Sequence, residues 1–107
     1  MYLKYLGRYN EAIETLQQIF TRYKDSVYAL NNLAIIYEEL KEYKIAIKLY
    51  EKIVQKYPQY ALDARYKISE FYVILGDKET AGKYYIQYEL SGGVRDDNLM
   101  QGIRQLK

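Results

Sequence analysis

Three phased copies of one spacing run through this chain. The first joins Leu3, Ala12 and Leu16, the second Tyr37, Ala46 and Tyr50, the third Tyr72, Ala81 and Tyr85. Each copy steps by nine and then four residues, and successive copies are offset by 34 and then 35. Flanking positions keep the phase: Tyr9 answers Tyr43, Tyr23 answers Tyr57, and Leu33–Ala34 answers Ile68–Ser69. A fixed period of this length marks a stacked array in which each unit is a helix pair that cannot bury its apolar face alone. The expected fold is all-α, and such arrays present surfaces, so the sequence points to partner binding without naming the partner.

Local signals place the helices. From Arg8 to Tyr23, residues Ala12, Ile13, Leu16, Ile19, Phe20 and Tyr23 fall at three- and four-residue steps, which predicts a helix. Ser26 is a candidate N-cap for a second helix reaching about Leu40. A third is expected from Tyr43 to Lys56, ended at Tyr57-Pro58 because a residue before proline is pushed out of the helical region. A loop from Pro58 to Asp63 precedes helices at about Leu62–Leu75 and Lys78–Leu90. Asp96 or Asp97 then caps a short helix through Leu99, Ile103 and Leu106, a lid over the last seam. Gly7, Gly76 and Gly92–Gly93 stand at the expected joints.

Composition excludes whole classes of chemistry. There is no Cys and no His, which removes thiol catalysis, disulfides, thiolate or imidazole zinc sites and the usual general base near neutral pH. No Gly-rich phosphate loop, nucleophile elbow or HExxH is present, so no enzyme, cofactor or metal is expected. Sixteen basic residues against 14 acidic leave +2 with interspersed signs; no basic stripe points to nucleic acid. No apolar run is longer than that from Leu33 to Tyr37, far below the ~20 residues that span a bilayer, so no membrane insertion is expected. The N-terminus lacks the features of a signal peptide, which favours a cytoplasmic location for the chain as given. A cell-envelope setting is the expectation if the chain is part of a longer protein.

The middle unit resembles the tetratricopeptide repeat, whose pattern is W-x2-L-G-x2-Y, A-x3-F and P on a helix pair of 34 residues. Here it reads Leu30-x2-Leu33-Ala34-x2-Tyr37, then Ala46-x3-Tyr50, then Pro58. The third unit keeps Ile68-Ser69-x2-Tyr72 and Ala81-x3-Tyr85, but Arg65 stands in place of Trp and Gly93 in place of Pro. The resemblance implies a right-handed superhelix of antiparallel helix pairs forming one domain over 1–107. Its expected parts are a partial repeat (1–25), two full repeats (26–59 and 60–93) and a C-terminal capping helix (94–107).

In that family the first helix of each pair lines a concave groove. The resemblance therefore implies a peptide groove at Tyr28, Asn31, Asn32, Ile35 and Glu38, with Asp63, Tyr66, Lys67, Glu70 and Val73 from the next unit. The asparagines stand out because Asn is a mediocre helix residue, and a carboxamide can pair with a peptide main chain. Tyr28 and Tyr66 would add flat amphipathic contact area. A clamp for a C-terminal carboxylate, known in some family members, fits poorly: Asn32 and Lys67 match it, but Asp63 stands where a lysine is needed.

The first unit lacks its leading helix, with only Tyr2 to Leu6 ahead of Arg8. Leu16, Ile19 and Phe20 are expected to be partly bare. Three resolutions follow: a piece of a longer array, a homo-oligomer formed through this edge, or a Tyr2–Leu6 turn that bends over it.

Overall fold

The computed structural model describes residues 2–24 and 26–105, with side chains from residue 8 onward. Among the described residues six α-helices follow one another: α1 (Tyr2–Arg22), α2 (Val27–Glu39), α3 (Tyr43–Lys56), α4 (Ala61–Leu75), α5 (Lys78–Leu90) and α6 (Asp97–Gln105). Consecutive helices pack on each other, and α6 touches both α4 and α5. The fold is all-α.

Local chemistry sets most boundaries. The Ser26 side chain accepts from the Ala29 amide, Asp77 from that of Thr80, and Asp96 from that of Leu99, each filling a helix N-terminus. The two joints inside the helix pairs close alike. Glu42 N–H donates to the Tyr37 carbonyl at 2.8 Å, and Asp77 N–H to the Tyr72 carbonyl at 2.9 Å. The residue between turns left-handed in both, Gly76 at φ +84° and Lys41 at φ +62°.

Two expectations need correction. Gly7 is not a joint: α1 runs through it, since one glycine costs a helix only about 1 kcal/mol. Residues 2–6 are therefore the first turns of α1 rather than a segment that bends back over it; their side chains lie outside the described residues, as does Leu106. The expected loop after Tyr57 is also mostly helical. Pro58 opens a 3-10 turn (Pro58–Tyr60), and α4 begins directly at Ala61.

The main core lies between α2, α3 and α4, around Leu30, Ala34, Ala46, Tyr50, Ile68 and Phe71. Ala34 and Ala46 are fully buried, which lets α2 and α3 approach closely. Phe71, 1% exposed, sits 5.5 Å from the Tyr43 ring and 5.9 Å from Tyr50. Burying such a ring is worth about 1.5–3 kcal/mol. Ser69 holds the position of Ala34 in the next pair, and its hydroxyl donates to the Ala81 carbonyl at 2.8 Å, so burial leaves it satisfied. Arg65, in the position of Leu30, is half-buried and reaches Ser91. A second cluster joins Tyr85, Tyr88 and Leu99, with Tyr66, Val73, Met100 and Ile103 around it. It fastens α6 to the last helix pair.

Candidate functional site

Helices α2 and α4 flank a cavity of about 770 Å³. Helical period brings Tyr28, Asn31, Asn32, Ile35 and Glu38 to one wall, and Asp63, Tyr66 and Lys67 to the other. Glu70 lies on an adjoining hollow of about 420 Å³, with Tyr66, Val73 and Asp96. The floor is formed by residues that the repeat assigns to the core: Val27, Tyr50, Ile53 and Ala64. Tyr60, at the end of the 3-10 turn, adds a further wall, and its ring is 6.4 Å from that of Tyr57. The sequence signal for Tyr60 was the Tyr57-Pro58 turn, which aims the following residues at the groove.

Polar capacity along the walls is unevenly spent. Asn32 donates one N–H to the Tyr28 carbonyl at 2.8 Å, leaving its oxygen and second N–H. Among the described residues the Asn31 side chain has no hydrogen-bond partner. Lys67 lies between two carboxylates, 3.5 Å from Glu38 and 3.8 Å from Glu70. That engagement and the adjacent Asp63 leave the cavity without a spare cation for a terminal carboxylate. Burial pushes the Glu70 carboxyl up; Glu38 and Asp96 add to this and Lys67 opposes it. The Tyr50 hydroxyl is pushed up to about 12 by burial, with Glu38 and Glu70 adding to it. Tyr66 donates to the Asp96 carboxylate; that bond, and then burial, raises the Tyr66 hydroxyl, while the same bond, and then the Leu99 amide, draws Asp96 below the usual carboxylate range.

The edge formed by α1 and α2 is less bare than expected. Leu16 is buried, and Phe20 is half-buried against the main core with the Lys52 ammonium 5.1 Å from its ring centre. Ile19 is half-buried. Packing of α1 on α2, with Phe20 reaching the main core, shields these residues. A hollow of about 500 Å³ remains there, lined by Ala12, Thr15, Leu16, Ile19, Tyr28, Asn32 and Ile36, with Arg8 and Glu11 at its rim.

Charge is also less mixed in space than along the chain. Lys44, Lys48, Lys52 and Lys56 recur every four residues and are all exposed, so they form one row along α3. The expectation of no basic stripe is corrected to that extent. Among the described residues no Asp/Glu grouping is placed to hold a metal ion, and no helix is long and apolar enough to cross a membrane.

Two family models, both described as tetratricopeptide repeat, match this chain over residues 1–61 and 62–88. No match was found among the curated proteins. Repeats of this kind generally mediate protein–protein interaction or assembly, and proteins built from them are typically non-catalytic scaffolds. Phased spacing, adjacent helix pairs and these matches agree: the chain belongs to the tetratricopeptide repeat family.

Proposed function

We propose that this chain is a protein-interaction module with no chemistry of its own, whose α2–α4 groove takes an extended or short helical peptide from a partner. The observation that carries this reading is the cavity itself. It has an apolar floor at Ile53 and Ala64, exposed aromatic walls, and carboxamides with hydrogen-bonding capacity to spare. A partner recovered by pull-down and verified with purified protein provides the test. Tyr28→Ala and Asn32→Ala should each weaken its binding about tenfold, the scale of a 1–2 kcal/mol contact. Tyr28 is 61% exposed, so its removal leaves the core intact. Unchanged affinity in both variants discards the groove as the binding surface.

A second reading is assembly through the α1–α2 edge, favoured by the hollow beside Leu16 and Ile19. Sedimentation equilibrium over a hundredfold concentration range separates the two. A dimer dispersed by Ile19→Glu, with helicity kept, moves the function to assembly. Ile19 is the better probe than Leu16, whose burial would make a charge there unfold the edge.

A further inference from the structure

We propose that the occupant of the groove is a basic segment of a partner protein, with a lysine or arginine beside a large apolar side chain. This rests on the reading of the α2–α4 cavity as the binding surface.

The chain as a whole carries +2, yet its concave side is acidic. Glu38 and Asp63 line the main cavity, and Glu70 and Asp96 line the hollow that continues it. Against these four carboxylates, the residues lining the two hollows include a single cation, Lys67, already held by Glu38 and Glu70. The lysines of α3 that make up the overall balance form their own exposed row outside the cavity lining. Asp63 is exposed in the first turn of α4 and has no hydrogen bond or ion pair among the described residues.

An incoming ammonium or guanidinium would supply what this wall lacks, while a carboxylate would meet repulsion from Asp63 and Glu38. The cation alone would not hold a partner, because an exposed ion pair adds little. The apolar lining supplies the rest: Ile35, 38% exposed, and Ile53 line the cavity together with Tyr28 and Tyr60, a seat for one large aliphatic or aromatic side chain. Charge then selects and steers, and the apolar anchor retains.

A random peptide library displayed on phage, panned against the whole chain, tests this, with synthetic peptides made from the recovered sequences. The expected sequences carry Lys or Arg next to Leu, Ile, Phe or Tyr. Their binding should weaken as salt rises and fall about tenfold in Asp63→Lys, with a smaller loss in Asp63→Asn. Recovered sequences that are acidic or require a free C-terminal carboxylate overturn the inference, as do basic ones indifferent to Asp63→Lys. A library that yields no specific binder also counts against it. Binding that depends on Ile35 and Tyr28 but not on Asp63 sinks the charge inference and leaves the groove standing. Binding indifferent to Ile35→Ala, Tyr28→Ala and Asn32→Ala sinks the groove itself.

Discussion

The first and last helices of the described chain are packed by different means. At the C-terminal end, α6 lays Leu99, Met100 and Ile103 against the last helix pair. Three tyrosine hydroxyls then grip the segment that leads into it. Tyr88 donates to the Val94 carbonyl at 2.7 Å, the Tyr85 oxygen accepts from the Asp96 amide at 2.9 Å, and Tyr66 donates to the Asp96 carboxylate. At the other end α1 and α2 enclose a hollow whose apolar residues are interrupted by Arg8, Glu11, Thr15 and Asn32, and no described side chain fills it. A helix of nine residues is too short to hold itself in water. The comparison teaches that a short lid closes a solenoid only when apolar cover and polar anchors act together.

Leu16 and Leu99 make the sharpest test of that contrast, because each is 7% exposed at its own end. Leu99→Ala should cost about 3 kcal/mol and release α6, since Leu99 is the buried side chain of that helix while Met100 and Ile103 are only partly covered. Leu16→Ala should cost nearer ~2 kcal/mol, because the adjacent hollow lets the site relax. Urea midpoints with amide exchange would show α6 exposed only in the first variant; equal losses and a protected α6 in both would break the comparison.

Gly93→Ala comes next. A Cβ there would overlap the Tyr88 ring, whose hydroxyl is bonded to the Val94 carbonyl, so the ring could move only by giving up that bond. The expected loss is about 1–3 kcal/mol, by displacing Tyr88 and loosening the grip on α6. Gly82→Ala is the control, because its Cβ would meet Ile103 at an ordinary 3.9 Å. It should be neutral or slightly stabilising in the same thermal melts.

Acid should open the covered end selectively. The Asp96 pKa is lowered in the folded chain, first by Tyr66 and then by the Leu99 amide. Its stabilising contribution is therefore present above the usual carboxylate value and lost as pH falls through the depressed folded one. Amide exchange below pH ~4 should rise in α6 before it rises in α2, and Asp96→Ala should show the loss already at neutral pH. Uniform acid loosening across α2 and α6 would count against this account.

The helices were legible because their signals are local: apolar steps of three and four, Ser26 and Asp96 as caps, and Tyr57-Pro58 as a stop. Placing Tyr28 and Lys67 on facing walls required only the helical period and the resemblance. What stayed hidden depends on distant pairs. Tyr66 and Asp96 are 30 residues apart, and Tyr84 donates to Glu51 across 33, at 2.8 Å, so neither tyrosine's role shows in its own segment. Segregation of charge was hidden for the same reason: signs that alternate along a helix separate once it has an inner and an outer face. Spacing alone makes Leu16 look partly bare, because its burial depends on how α1 lies against α2, which spacing does not reveal.

Tyr66→Phe is the smallest expected effect and the most discriminating. The variant keeps the ring, 5.2 Å from that of Tyr88, and removes only the hydroxyl that Asp96 accepts. Loss of one such bond should cost about 1 kcal/mol, well below Leu99→Ala. The pH dependence carries the argument. Tyr66 is the largest cause of the lowered Asp96 pKa, so without its hydroxyl the folded value returns toward the ordinary one. The gap between folded and unfolded values narrows, and the part of α6 protection that acid removes must shrink with it. If Tyr66→Phe leaves that acid-sensitive part at full size, the backbone cap at Leu99 holds Asp96 and the tyrosine does not, and the covered end is secured by its apolar face and helix cap alone.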